Sequence, residues 1–207
     1  MARRNRVTPS GEIIASEARG TLMGNRGRLH DEQGNIVRRW SSKCWIACRL
    51  EFKGRKRQIM APDSYTELFF LDEATALAAG HRPCFECRRQ DFYRFREAWR
   101  VGVAKSVEPP KADAMDKRLQ GERTLDHSER PWVAMDDLPD GTFVLLEDAG
   151  AHMVYREHVH EWTPFGYSSR RQRGTGTARL LTPPSMVEVL RSGYEPALHA
   201  SVFGEAM

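Results

Sequence analysis

A C-x-x-C pair set between two helical segments limits the fold of this chain more than any other feature. It lies within Tyr65 to Val103, where three elements follow one another without slack. Tyr65 to Leu71 is aromatic and apolar, which predicts a short buried strand. Asp72 is suited to cap a helix, and Ala74, Ala76, Leu77, Ala78 and Ala79 fit inside one. Gly80 ends that helix, because glycine enters the left-handed conformation past a C-terminus at least cost. Pro83 blocks a restart. Cys84-Phe85-Glu86-Cys87 then stands at the mouth of a second helix. On that helix Phe85, Phe92, Phe95, Trp99 and Val103 form one apolar stripe. Arg89, Tyr93, Arg96 and Arg100 fall on another face, which reads either as a solvated surface or as a phosphate-contacting stripe.

The segment Leu77 to Arg88, A-L-A-A-G-H-R-P-C-F-E-C-R from Ala76, resembles the second half of the Ada-type zinc-binding, methylphosphotriester-repair domain. Leu68 to Phe70 stand where the family has a strand, and His81 where it usually has an aromatic. The likeness implies an α+β fold: an Ada-like mixed small sheet with two helices. It also implies one zinc ion held by four cysteines, C-x3-C followed by C-x2-C. Carried onto this chain, the second pair is Cys84 and Cys87, and the first is Cys44 and Cys48. In the family a thiolate of the first pair accepts a methyl group from a DNA phosphotriester, and by position that residue is Cys44.

The residues themselves leave the ligand set open. Cys44, Ile46, Cys48, Leu50 and Phe52 alternate with Trp45, Ala47, Arg49 and Glu51, a strand pattern. Four residues along a strand span ~13 Å, whereas two sulfurs on one tetrahedral zinc sit about 4 Å apart. Either the chain bends between Cys44 and Cys48, or at most one of them binds. Cysteines that only pack are the alternative, and a mixed site drawing on His81 or His30 is another.

The chain has 207 residues with a net charge of +4, enough to bury a core without relying wholly on a metal. No apolar run reaches the ~18–20 residues of a membrane span, and the basic N-terminus is followed by no apolar signal region. Four cysteines in so long a chain point away from a disulfide scaffold and towards a reducing, cytoplasmic setting. Basic residues cluster at Arg3 to Arg6, Arg26 to Arg39, Arg49 to Arg57, Arg88 to Arg100 and Arg170 to Arg173. Such clustering permits a surface for an anionic polymer.

Along the chain, Glu12 to Ala15 reads as a strand. Gly20 to Gly27 is glycine-rich without the ending of a phosphate-binding loop, so close backbone packing is the better reading. Ile36 to Trp40 is a candidate strand. Lys43 to Phe52 and Lys56 to Met60 suggest a hairpin whose tip carries Lys53, Arg55, Lys56 and Arg57. That tip can reach a phosphate backbone, or serve as charged edge protection. These features divide the chain into an Ada-like domain over 1–104, a linker with a polar helix over 105–130, and a β-rich region over 131–207. In the last, Thr142 to Glu147, Ala151 to Arg156, His158 to Thr163 and Ala178 to Leu181 read as strands. Tyr167 to Thr177 reads as a mobile basic loop, and Thr182-Pro183 as the start of a closing short helix. His158 and His160 share a strand face, where they can chelate a metal or simply decorate a half-exposed strand.

Together these readings describe an Ada-like, zinc-binding protein that interacts with nucleic acid through Arg55, Arg57, Arg89, Arg96, Arg100, Arg170, Arg171 and Arg173. The metal ligands are drawn from Cys44, Cys48, Cys84 and Cys87. One alternative is an enzyme, either a zinc-thiolate methyl acceptor acting through Cys44 or a nuclease-associated activity. The other is a metal-free interaction protein with a degenerate Ada-like fold. No nucleophile elbow or H-E-x-x-H metalloprotease motif is present.

Overall fold

The computed structural model describes residues 2–55, 58–146 and 150–204. It is an α+β fold with two six-stranded sheets and four α-helices among those residues. The first sheet is built from β1 (Arg4–Val7), β2 (Ile13–Ala15), β3 (Leu22–Asn25), β4 (Ile46–Arg49), β5 (Leu68–Phe70) and β6 (Arg82–Pro83), in the order β2-β1-β5-β3-β4-β6. It is mixed: β1 runs parallel to β5 and β4 parallel to β6, while the other pairs are antiparallel. Between β5 and β6 lies α1 (Glu73–Ala78), and after β6 come α2 (Arg89–Trp99) and α3 (Ala112–Arg123). The second sheet holds β7 (Trp132–Ala134), β8 (Phe143–Leu146), β9 (Gly150–Tyr155), β10 (His158–Thr163), β11 (Gly166–Gln172) and β12 (Thr177–Leu180). All its pairings are antiparallel, in the order β11-β10-β9-β8-β12-β7. The short helix α4 (Pro184–Arg191) follows.

The alanine-rich helix α1 sits where everything meets. Ala76 faces the first sheet with Leu68, Phe70 and Ala47. Ala74 and Ala78 face Phe143, Met153 and Leu181 of the second sheet region. Leu77 joins Phe92, Phe95 and Trp99 of α2, Met115 and Leu119 of α3, and Met186 and Val189 of α4. A helix enclosed on every side needs small side chains, which explains the alanines. Asp72 caps it as expected, accepting from the Thr75 backbone N–H at 2.9 Å. Gly80 follows at φ +82°.

Several sequence expectations change. Among the described residues β4 pairs with β3 and β6, and residues 58–67 form no strand to make the expected hairpin, whose Lys56 and Arg57 lie outside the described residues. Its hydrogen bonds are satisfied by β3, contributed by the glycine-rich stretch. Ile36 to Trp40 forms only a single bridge, between Ile36 and His30. Tyr167 to Thr177 is not a mobile loop, because β11 pairs with β10 through Gln172. Thr182 does not cap α4: its hydroxyl accepts from the Phe143 N–H, and Pro183 precedes the first helical residue, Pro184. Phe85 lies ahead of α2 and is 47% exposed, so it leaves the apolar stripe.

The glycine-rich stretch does serve close packing. A Cβ on Gly24 would lie 2.3 Å from the Phe70 ring, which is completely buried. Gly24→Ala is therefore expected to cost about 1–3 kcal/mol from overpacking. The urea-unfolding midpoint measures this, and an unchanged midpoint would mean that the Phe70 ring is free to move aside.

Candidate metal centre

Three cysteine sulfurs, from Cys48, Cys84 and Cys87, lie within 4.8 Å of one another and can hold a metal ion. Their convergence follows from strand pairing. β4 and β6 run parallel with Ile46 opposite Arg82 and Ala47 opposite Pro83, and the Cys84 N–H donates to the Ala47 carbonyl at 3.0 Å. The register thus carries Cys48 alongside Cys84. The chain then turns, Arg88 N–H donating to the Cys84 carbonyl at 3.0 Å, and brings Cys87 back to the same point. The Arg49 N–H donates to Cys87 Sγ at 3.4 Å.

The three residues are 7–8% exposed and packed with Met23, Ile46, Phe52, Tyr65 and Phe69. So close together in an apolar shell, the thiols compete for a single charge. Hydrogen bonds from Cys48 and Cys87 push the Cys84 thiol down. The hydrogen bond to Cys84 pushes the Cys48 thiol up, and burial adds to it. Cys87 is also raised, since its bond to Cys84 and its burial outweigh the opposing bond with Cys48. A divalent cation would let all three ionise. Soft thiolates gathered this closely suit zinc, whose bonds to sulfur are about 2.3 Å. The donor set fits such an ion.

Cys44 stands outside this group and outside β4. It is exposed, and its Sγ accepts from Arg82 Nη2 at 3.4 Å. The desolvation it does suffer raises its thiol, with Arg82 pulling the other way. Arg82 is itself gripped by Asp116 of α3, with Nε to Oδ1 at 3.0 Å and Nη2 to Oδ2 at 2.7 Å, both side chains buried. Burial lowers the Arg82 pKa, but this two-point contact more than offsets it, and the guanidinium ends up raised. Under the C-x-x-C turn, Arg88 makes a second buried pair with Glu73 at 2.7 Å, which also accepts from the Tyr194 hydroxyl.

Neither histidine weighed for a mixed site joins the sulfurs. His30 Nδ1 is 2.6 Å from the Thr66 hydroxyl. His81 is completely buried against Trp45 and Phe70, and its Nε2 accepts from Arg26 Nε at 3.1 Å. His158 and His160 have ring centroids 6.3 Å apart, and His160 packs edge-on to Tyr155 and Tyr167. Among the described residues they belong to no metal-ligating group.

The predicted cationic residues disperse. Arg89 follows the C-x-x-C turn and lies 5.1 Å from the Phe85 ring centroid, and Arg89 and Arg96 bracket Tyr93 at 5.8 and 5.2 Å from its ring centroid. Both aromatics are exposed. Arg55 is tied to Glu86 at 2.6 Å, and Arg100 to Glu97 at 2.7 Å. Arg57 lies outside the described residues. Arg170 and Arg171 are exposed on β11, whereas Arg173 is spent on the Met135 and Leu138 carbonyls. Asp116 went unrecognised as a site residue. Its signal is a carboxylate among Met115, Leu119 and Arg123, the buried positions of α3.

No family model, curated protein or solved structure matches the chain. Among the described residues no helix is long and apolar enough to cross a membrane.

Removing Asp116 strands a buried guanidinium. Asp116→Ala is expected to lose about 3–5 kcal/mol of stability, while Asp113→Ala, exposed on the same helix, stays within about 0.5 kcal/mol. Urea unfolding of the two variants compares them, and equal losses would rule out a special role for the Arg82 pair.

Proposed function

We propose that the chain is a zinc-binding, nucleic-acid-interacting protein, Ada-like in its cysteine site. The observation that carries this reading is the meeting of Cys48, Cys84 and Cys87 within 4.8 Å, from two segments far apart in sequence. Zinc would tie β4 to the turn before α2. The surface next to it supports the second half of the reading. Phe85 and Tyr93 are exposed aromatics, and Arg89 and Arg96 form no ion pair among the described residues. Aromatic rings that accept bases, with cations for the flanking phosphates, are what single-stranded nucleic acid binding uses.

Zinc analysis of protein purified without chelators is expected to give one ion per chain. Cys84→Ser should abolish it, whereas Cys44→Ser should leave it in place. Protein free of metal, with melting unchanged by EDTA, would sink the zinc half. For the other half, fluorescence anisotropy with a labelled single-stranded oligonucleotide should show affinity falling steeply with salt. Arg89→Ala with Arg96→Ala should reduce the log–log salt slope by about 1.4, or roughly 0.7 for each phosphate left without its arginine. A slope near zero in the parent protein would remove nucleic acid as a partner.

A second reading rests on the exposure of Cys44, the one free thiol of the four that solvent reaches readily. In a methyl acceptor its thiolate sulfur would bond to the methyl carbon of a phosphotriester, breaking the carbon–oxygen bond and releasing the phosphodiester as an anion. Intact-mass measurement after incubation with methylphosphotriester-containing DNA tests this. A gain of one methyl group, absent in Cys44→Ser, would support the reading, and an unchanged mass would end it.

A further inference from the structure

A cavity of about 730 Å³ opens between the β1–β2 hairpin and the segment 36–39. Its charged lining is four arginines, Arg4, Arg26, Arg38 and Arg39, against two carboxylates, Glu12 and Asp126. Asp126 is already engaged: it caps the turn over His127–Glu129 and lies 3.8 Å from Arg39. Arg4 donates to the Ile13 carbonyl. Arg38 and Glu12 form no ion pair among the described residues, and both are exposed.

Arg26 is the unusual member. It is 2% exposed, among the largest fully enclosed side chains of the protein, and it forms no ion pair among the described residues. Its Nη1 donates to the Gly11 carbonyl at 2.9 Å and its Nε to His81, while the guanidinium lies 4.2 Å from the Trp45 ring centroid. Its Nη2 has no hydrogen-bond partner among the described residues. Every influence on its protonation disfavours the charge: burial first, then Arg123 and Arg39, which together lower it to about 9. At neutral pH it is still a cation. The other buried pairs, Arg82 with Asp116 and Arg88 with Glu73, show how this fold neutralises an enclosed guanidinium when the counter-charge is internal. Arg130 adds to the excess. It is buried, donates to Ser10 and Leu181 carbonyls, and is lowered by burial and then by Arg39. An enclosed charge without its partner is costly, and here the missing partner has room to enter. The volume is that of a small-molecule site, and Ile13, Ile14, Ile36 and Val37 supply an apolar wall beside the cations.

We propose that this cavity binds a phosphate-bearing small molecule, with Arg26 as the enclosed cation and Arg38 and Arg39 as the solvent-facing ones. A phosphomonoester dianion matches guanidinium groups in charge and hydrogen-bond geometry. The apolar wall gives the organic part of an ester a place to lie. This site shares no residue with the cysteine centre, so it stands or falls independently of metal binding.

Isothermal titration of the full chain at constant ionic strength tests it, using inorganic phosphate, a nucleoside 5′-monophosphate and the unphosphorylated nucleoside. Both phosphates are expected to bind and the nucleoside not to. If the monophosphate binds more tightly than inorganic phosphate, the ester is the natural occupant; equal affinities assign the site to the free ion. The exposed double variant Arg38→Ala with Arg39→Ala should weaken binding by roughly tenfold or more, with melting temperature and metal content unchanged. Arg26→Met should abolish binding where it folds. The proposal is overturned if neither phosphate produces saturable heat, or if the double variant binds as well as the parent.

Discussion

The rest of the structure depends on one helix being enclosed on all sides. Every residue of α1 is buried, and its faces are shared by the first sheet, the second sheet region and the bundle of α2, α3 and α4. Two carboxylates begin it, which would be ruinous without partners. Asp72 finds four donors: the Thr75 N–H and hydroxyl, the Tyr167 hydroxyl and the His199 N–H. Burial still raises its pKa. Glu73 takes Arg88, Tyr194 and the Ala197 N–H. These bonds tie the C-terminal segment to the N-terminal half of the chain. They also seat the helix so that Gly80 delivers β6, and with it the C-x-x-C turn, against β4.

Enclosed arginines are the second theme, and they are handled in two ways. Arg82 and Arg88 are matched by carboxylates. Among the described residues Arg26, Arg123 and Arg130 form no ion pair, although Asp116 acts on Arg123 from a distance, and they lean instead on backbone carbonyls and, for the first two, on the Trp45 ring, at 4.2 Å each. A desolvated cation over an indole gains about 2 kcal/mol, helpful but short of what an ion loses on leaving water. Two of these guanidinium groups, Arg26 and Arg123, thus share the Trp45 ring. The cysteine group presents the opposite case, where clustered sulfurs compete for ionisation and a bound cation would let all of them ionise.

Much of the architecture could be read from the chain. The strand, the Asp72 cap, the alanine-rich helix, the Gly80 stop and the C-x-x-C turn were all legible, because each rests on local rules of capping, glycine conformation and apolar spacing. So were β8, β9, β10 and β12, whose alternation and turns are local. The misreadings concern partners. Lys43 to Phe52 was recognisable as a strand, but β3 and β6, rather than residues just downstream, complete its ladder. The Arg-rich run after Tyr167 looked like a loop because its exposed edge carries no apolar alternation, yet β10 supplies the pairing that holds it straight. Of the four cysteines, spacing placed Cys84 and Cys87 together by itself.

By itself the sequence determined that this chain would build an alanine-rich helix leading into a paired-cysteine turn, since those residues answer to their immediate neighbours. Only the tertiary structure decided that Cys48 completes the group while Cys44 faces Arg82, that Asp116 reaches in from α3, and that Arg26 is enclosed with no ion pair among the described residues. Each of those outcomes follows from a parallel strand register or from helix packing between distant segments. Such long-range choices are made by burial and hydrogen-bond satisfaction across the whole core, which no local pattern encodes.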